Sequence, residues 1–528
     1  MDVRKSTLWD NKKALAICCL IAMAPFQYGI DFGMIAGVQA MVGFLEVFGY
    51  KDPASPIGYN LTTVTQQLIS SLMTLGAVIG SILCGPLGVY ISRRQGLWLA
   101  TLTCYVANAI MMGTSNIGAV YFARLLIGIA NGFFQVFAQL FLQEAAPPHL
   151  RGVALALYQW WCSLGTLTGT IVDNFTAPLP GRQSYLIPLG CIYIVPAILS
   201  IGIVFIPESP RWLAQRGKFE DARVALTRIR PKRDDEQHID DELNDIRTGL
   251  EIEASIAQSV SVWDMWTNPV NRRRTLLSVG AVSLQGASGA MFMLVYGTYF
   301  FAMADMSKPF VDSVILTAVG VVVITCAFFY VRYFGRRAIL MTGMGVSALA
   351  MVVEAIVYTK SPGTVKTGKV IVGMAVLYIV FYNGCVASFA WLVGGEIPAQ
   401  QLRGHTLGLS AAVGFFLGWL ASFTAPYFIN PDSLNWGPKY GYIWFVTNIM
   451  AVAWIYFFLP ETKDRTLEEL DEMFAARLPA RKFAGYVCSN IGTGEKKEDA
   501  EDNSAAEKNG IADKSGLEHI EVSEVTQA

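Results

Sequence analysis

Asp31 and Arg124 are the residues of this chain whose positions most require an explanation. Asp31 lies inside a long apolar run, and a carboxylate there is costly enough that it normally faces a partner or a water-filled cavity. Arg124 is the only cation well inside an apolar run of the first half. Asp31 stands about seven residues from the outer end of its run and Arg124 about five from the outer end of its own, so both sit roughly 8–10 Å below the same surface. They can therefore meet. A low-dielectric surround favours a neutral carboxyl, and a guanidinium beside it favours the carboxylate. A pair whose separation changes can thus take up and release a proton. The static alternative is an ion pair that only fixes two helices. A second group suits a hydroxyl-rich solute: the mid-run amides Gln159, Gln285 and Asn383, which both donate and accept, and the aromatic platforms Trp391, Trp419 and Tyr296. Their alternative is bridging and packing between helices.

The elements that hold these groups follow from composition. Hydrophobic residues make up 53% of the 528, charged residues 15%, and the mean hydropathy is +0.42. Soluble chains carry about a quarter charged residues. An apolar run of about 20 residues spans a bilayer. Twelve runs qualify: 14–39, 64–88, 96–115, 117–141, 152–173, 187–206, 275–301, 312–332, 338–358, 369–393, 406–428 and 440–459. Backbone groups in lipid must be satisfied within their own segment, so we expect twelve helices. The first run is too long for a cleavable signal peptide and reads as the first span.

Residues 1–13 precede the first span, and a charged stretch, 207–274, separates runs six and seven. Within it, 217–257 mixes acidic and basic residues at spacings that suit short solvated helices. Residues 460–481 follow the last span, and 482–528 have the composition of a disordered tail. Arg93-Arg94, Arg151, Arg336-Arg337 and Arg403, with Arg4, Lys5, Lys12 and Lys13, place these loops and both termini in the cytoplasm. Lys360, Lys366 and Lys369 reduce the contrast on the other side. Two glycosylation sequons, Asn60-Leu61-Thr62 and Asn174-Phe175-Thr176, fall in loops that this topology puts outside. Eight of the nine cysteines lie in the runs and Cys488 lies in the tail, so no structural disulfide is expected. The four histidines lack metal-ligand spacing.

The chain is also built twice. Glu144 is followed seven residues later by Arg151-Gly152, and Glu396 seven later by Arg403-Gly404, at an offset of 252 (144 to 396). Pro207-Glu208-Ser209-Pro210-Arg211 is echoed by Pro460-Glu461-Thr462-Lys463-Asp464-Arg465 at an offset of 253, and Arg93-Arg94 by Arg336-Arg337 at 243. Internal duplication in a hydrophobic chain marks a transporter made of two related halves. Residues 14–206 form the first six-helix half and 275–459 the second. Arg93, Glu144, Arg151, Glu208 and Arg211 of one half, with Arg336, Glu396, Arg403 and Glu461 of the other, read as a cytoplasmic gate. A charge network that forms only when the inner side is shut biases a two-state equilibrium. The plainer reading of these arginines is topology, and it is preferred for Arg94 and Arg337.

These motifs resemble the sugar porter branch of the major facilitator superfamily, over residues 10–480. The specific matches are Pro207 to Leu213 after span six and Pro460 to Leu470 after span twelve, supported by Tyr28 to Gly33, by Arg124 with Gly128 and Gly132, and by Gly395 to Gly404. Asn435 to Tyr442 looks like fungal members. The resemblance implies an all-α fold of twelve transmembrane helices in two six-helix halves, with a cytoplasmic helical linker, moving a sugar-like solute by alternating access. Gln159, Gln285, Trp391 and Trp419 match sugar-contacting positions of the family, whereas Asn383 rests on depth alone. Asp31 with Arg124 resembles its proton-coupled members. The chain departs from the pattern where Val89 to Ser92 replace the acidic and glycine positions of the loop after span two, where Arg332 replaces the acid after span eight, and where Gly286, Met291, Ala387 and Ser388 alter spans seven and ten.

An enzyme is not expected, since there is no zinc-protease histidine pair, no phosphate-cradling loop and no nucleophile elbow. The remaining readings are a proton symporter, a facilitative uniporter and a nutrient sensor on the same fold. The expected partners are a small sugar-like solute, the bilayer and a proton as coupling ion. No other cofactor, no metal and no nucleic acid is expected. A monomer in a fungal plasma membrane completes the expectation.

Overall fold

The computed structural model describes residues 12–53, 57–145, 151–230, 236–259, 261–303, 308–330, 333–362, 364–430, 432–463, 465, 467–486 and 488. Twelve long helical segments organise it. The first half holds α1 (Lys13–Val38), α2 (Thr63–Tyr90), α3 (Arg93–Gly113), α4 (Ile117–Ala145), α5 (Arg151–Thr176) and α6 (Gln183–Phe205). The second holds α7 (Pro269–Thr298), α8 (Pro309–Tyr330), α9 (Arg336–Lys360), α10 (Val365–Glu396), α11 (Arg403–Ile429) and α12 (Gly441–Phe458). Among the described residues, eleven helices are long and apolar enough to cross a membrane. The twelfth, α5, is the more polar one, carrying Gln159, Ser163, Thr166, Thr168, Thr170 and Asp173. The end bearing Arg93, Glu144, Arg336 and Glu396 is called inner here, and the opposite end outer.

Capping sets where the chain turns. The Thr62 hydroxyl accepts from the Thr65 amide at the start of α2. Ser92 and Gln95 form a reciprocal capping box at the start of α3. These side chains occupy orphan amides at the N-termini of α2 and α3.

Glycine pairs bring the first-half helices into backbone contact. Gly76 and Gly80 of α2 face Gly128 and Gly132 of α4, and Gly29 and Gly33 of α1 face Gly165 and Gly169 of α5. A Cβ on Gly128 would stand 2.1 Å from the Met73 carbonyl oxygen, and one on Gly29 would stand 2.0 Å from the Cys162 carbonyl oxygen. Small residues four apart permit this approach where lipid supplies no hydrophobic drive between helices. The spacing carries the chemistry with it. Asp31 lies between Gly29 and Gly33, and Arg124 lies one turn before Gly128.

Two spans of the second half are interrupted. In α7 the helix stops at Ala287 and restarts at Ala290, across a Gly289 held at φ +86. The Trp444 ring lies where a Cβ on Gly289 would be. The freed carbonyls find side chains: Thr447 Oγ1 donates to Ala287 O at 2.9 Å, and both Tyr378 Oη and Asn448 Nδ2 donate to Ser288 O at 3.1 Å. In α10 a π-helical turn spans Tyr382–Ala387 and presents Asn383 and Ser388 inward.

The stretch read as a linker folds into helices Pro210–Gln215, Phe219–Ile229 and Glu236–Ser259. Its last residues belong to α7, which begins at Pro269. A further helix, Leu467–Ala475, follows α12. The two halves dock these helices in the same way. Arg230 pairs with Glu242 and donates to the Ala145 carbonyl at 3.0 Å. Arg274 pairs with Asp471 and donates to the Ile397 carbonyl at 2.7 Å. Ala145 and Ile397 each directly follow a repeated glutamate, Glu144 or Glu396. Apart from Cys488, the tail 482–528 is described only to Tyr486.

Candidate functional site

Helices from both halves enclose a cavity of about 2110 Å³. It runs from Met293 and Thr298 in the outer part of α7 to Arg93, Gln215, Arg216, Glu396 and Arg403 at the inner end. Gln215, Arg216 and Arg403 are exposed there, so the cavity opens inward.

The outer end is shut by contacts between the halves. Buried Asn430 Nδ2 donates to buried Gln66 Oε1 at 2.7 Å, the Thr63 and Ser433 hydroxyls pair at 3.0 Å, and the Tyr50 hydroxyl donates to the Asp432 carboxylate. Partial burial, reinforced by Asp432, pushes the Tyr50 hydroxyl well above its ordinary range, so it stays a donor at physiological pH. Each such bond contributes about 1 kcal/mol. Asn430→Ala is therefore expected to favour opening on the outer side. The readout is a cysteine at Thr74, which lines the cavity, labelled by an impermeant maleimide from outside. Labelling should quicken roughly three- to fivefold, and an unchanged rate would remove Asn430 from the outer closure.

Asp31 and Arg124 meet in the first half. Arg124 Nη1 donates to Asp31 Oδ1 at 2.8 Å, and both residues are 1% exposed. Arg124 Nε donates to the Ile69 carbonyl at 3.0 Å and Nη2 reaches Met73 Sδ at 3.1 Å. Asp31 Oδ2 has no hydrogen-bond partner among the described residues. Pro25, Tyr28 and Gly33 of the same helix line the cavity, whereas Asp31 points away from it toward α4. The pair thus sits one helix face from the solute path. Two further buried carboxyls were not singled out from the sequence. Asp173 in α5 abuts Gly37 of α1, and Glu354 lies in α9. Neither is recorded in an ion pair with a cation among the described residues.

The amides and aromatics divide. Gln159, Gln285, Asn383 and Trp391 line the cavity together. Gln285 Nε2 donates to the Ala387 carbonyl at 3.1 Å, and Gln285 Oε1 accepts from Trp391 Nε1 at 3.0 Å. Tyr296 and Trp419 are not among the lining residues. Tyr296 is fully buried, its hydroxyl donating to the Ser422 carbonyl at 2.7 Å. Trp419 stacks on Phe423 at 5.4 Å. Their depth in the membrane is suitable but their azimuth is not, since each residue along a helix turns the side chain by about 100°. The residues that the sequence reading missed are Gln135, Gln139 and Gln143 of α4, all on the cavity wall. Their spacing of four was the available signal.

The inner charges close within each half. Arg93 pairs with Glu144 at 2.9 Å, and Ser209 Oγ donates to the same carboxylate. Glu208 Oε1 accepts from the amides of Arg94 and Ser209. In the second half Arg336 meets Glu396 at 3.5 Å, Thr462 Oγ1 donates to Glu396, and Glu461 accepts from the amides of Arg336 and Arg337 at 2.8 and 3.2 Å. The repeated motifs therefore build one corner per half, each placing a carboxylate at a helix N-terminus. This corrects the expectation of a network formed only on inner closure, because these pairs exist with the inner side open. Arg403 is exposed at the mouth, Arg211 is partly buried on its short helix, and the Arg151 side chain lies outside the described residues.

The sequons are also corrected. Asn60 is 1% exposed, with Nδ2 donating to Asp52, so its amide is turned in and occupied rather than presented to solvent. Asn174 lies in the last turn of α5, and its sequon partner Thr176 is buried with its hydroxyl bonded to the Val172 carbonyl.

A family model described as "Sugar (and other) transporter" matches residues 17–474. The major facilitator-type transporter ecdD of Aspergillus rugulosus is 28% identical over 92% of this chain and 91% of its own length. The low-affinity glucose transporter HXT3 of Saccharomyces cerevisiae is 29% identical over 90% and 84%. The high glucose sensor RGT2 of the same yeast is 27% identical over 88% of this chain but 61% of its own length. Among solved structures, an inward open conformation of the xylose transporter XylE from E. coli superposes with a TM-score of 0.71 at 19% identity, covering 87% of this chain and 99% of that one.

Proposed function

We propose, from the premise that this chain belongs to the sugar (and other) transporter family, that it moves a sugar or sugar-like solute by alternating access with a proton as coupling ion. The chain is an integral multi-pass membrane protein, and its named relatives are transporters and one sensor rather than enzymes. One observation carries the coupling: a fully buried ion pair, Asp31 with Arg124, whose second carboxylate oxygen lacks a hydrogen-bond partner among the described residues. Burying two charges is costly unless their remaining valences are filled, so an incompletely satisfied pair marks a site that changes between states. In the closed-outside arrangement Arg124 holds the carboxylate. When α1 shifts against α4 within the first half and the separation grows, the low-dielectric surround favours protonation, which ties proton uptake to solute entry.

The solute end of the cycle rests on Gln159, Gln285, Asn383 and Trp391, which offer donors, acceptors and an aromatic face around one cavity. Gln285 is the hinge of that set because it holds Trp391 and the Ala387 carbonyl at once. The reading extends to a monomer in the plasma membrane of a fungal cell, with both termini cytoplasmic.

The test is uptake of labelled glucose, xylose, maltose, lactose, inositol and quinate in a transporter-deficient yeast. At least one sugar is expected to enter above background. Gln285→Ala should raise KM for that sugar about fivefold to tenfold, the loss of one or two hydrogen bonds, with surface expression retained. Indifference of KM to Gln285 would remove this set from recognition. The sensor reading is favoured by the similarity to RGT2, and it predicts a correctly placed protein that takes up nothing on the panel.

A further inference from the structure

Gln135, Gln139 and Gln143 lie four residues apart on one face of α4, and all three line the cavity. Residues four apart on a helix stack along its axis with ~6 Å between them, so the file extends ~12 Å. Gln139 and Gln143 are exposed to the open cavity, with no side-chain partner recorded among the described residues. Exposed amides on a spanning helix are costly to keep in apolar surroundings unless they meet water or a ligand. Counted from the inner helix ends, Gln135, Gln139 and Gln143 stand ~15, ~9 and ~3 Å deep, while Gln159 of α5 stands ~12 Å deep. The file therefore begins beside the central amides and leads to the mouth.

The lining from α11 differs in kind. Beyond Arg403 at the mouth it is apolar, with Gly404, Leu407, Gly408, Ala411 and Ala412 on the cavity wall. A row of primary amides in a cavity whose α11 side is apolar fits an extended body with hydroxyls on one side. Each amide offers two donors and an acceptor and carries no charge. The charged groups that line the cavity, Arg93, Arg216, Glu396 and Arg403, all stand at the mouth, which argues against an acid or a base as cargo in the central part. Spacing adds the decisive point. A single ring reaches at most two neighbouring amides of the ~12 Å file, whereas linked rings present hydroxyls to all three.

We infer that Gln135, Gln139 and Gln143 form an inner subsite for the additional ring or rings of an uncharged disaccharide or longer saccharide, continuous with the central site. This deepens the proposed sugar transport and rests on it. The solute's first ring occupies the Gln159–Gln285–Trp391 region, and the rest lies along α4 toward the inner mouth. The file also guides release, because Gln135 is half-buried while Gln139 and Gln143, toward the mouth, are exposed.

The experiment is equilibrium binding to the purified full-length protein, with glucose, maltose, cellobiose and maltotriose as probes. Wild type is compared with Gln139→Ala and Gln143→Ala, whose side chains face open cavity and whose removal leaves no buried partner behind. The measured quantity is the ratio of disaccharide to glucose affinity. Wild type should favour at least one disaccharide, and each variant should lower that ratio about three- to tenfold, the loss of one hydrogen bond. A glucose-binding protein whose ratio is unmoved by both variants, or which binds no disaccharide, overturns the inner subsite and leaves sugar transport standing. A wild type that binds none of the four probes overturns the inner subsite, and sugar transport is then decided separately by the uptake panel.

Discussion

Asp31→Asn is expected to abolish accumulation while leaving exchange intact. With an inward gradient of one pH unit, the wild type should concentrate its solute about tenfold, because one unit corresponds to ~1.4 kcal/mol per proton. The variant should only equalise it. Asparagine keeps the size of the side chain and still offers an oxygen to Arg124, but it cannot exchange a proton. It mimics the protonated intermediate, a species that the proposed cycle already visits, so the fold should tolerate it. The pH sign follows. Wild-type uptake should rise as external pH falls, since protonation from outside loads the carrier, and uptake by the variant should be flat. Asp173→Asn and Glu354→Gln should leave the pH profile in place, because neither carboxyl is recorded in a cation pair that changes between states. Uptake in Asp31→Asn that still accumulates against a gradient would assign the proton elsewhere, and those two carboxyls become the candidates.

Gly128→Val should be strongly damaging to the first half. The new Cβ would lie 2.1 Å from the Met73 carbonyl oxygen and 2.9 Å from the Gly76 Cα, both backbone atoms that cannot swing away. Separating α2 from α4 would break the contact from Arg124 to the Ile69 carbonyl and to Met73, which lie on the same face. Overpacking of a tight site costs about 1–3 kcal/mol, and loss of one partner in a buried charge network costs about as much again. The melting temperature of the purified protein should therefore drop by several degrees, and uptake should be lost. The comparison is Gly85→Val, about two and a half turns beyond Gly76 on the same helix, where nothing lies within 4 Å of an added Cβ and little change in melting temperature is expected. Equal melting temperatures for Gly128→Val and the wild type would show that the α2–α4 seam is looser than its geometry.

The membrane fold was legible because its signals are long and cooperative. Twelve apolar runs and three repeated motifs place the helices and divide them into halves, and errors of a few residues at each end do not disturb that. The ion pair was legible for a narrower reason. Asp31 and Arg124 are so costly in apolar runs that depth alone brings them together. Other features needed rotation about the helix axis, which depth cannot supply. Tyr296 and Trp419 sit at suitable depths, yet one packs against α11 and the other stacks on Phe423. The α4 glutamines carry a plain spacing of four, but only Gln135 stands near mid-span, and a row of amides at that spacing also fits a face packed on neighbouring helices. Burial is likewise invisible in a short pattern, so Asn60 reads as a glycan acceptor until its amide is found turned in toward Asp52. The inner motifs name their partners correctly, but repetition cannot say whether the partners meet within a half or across the two.

The claim at the centre of this account is that a proton travels with the solute through Asp31. It is tested most directly in proteoliposomes that hold a pH-sensitive dye, to which the transported sugar is added outside with no imposed pH gradient. The lumen should acidify in step with sugar entry, and Asp31→Asn vesicles preloaded with unlabelled sugar should exchange it for labelled sugar without acidification. Sugar entry in the wild type with no change of lumenal pH would contradict it and make this protein a uniporter in which Asp31 and Arg124 only fasten α1 to α4.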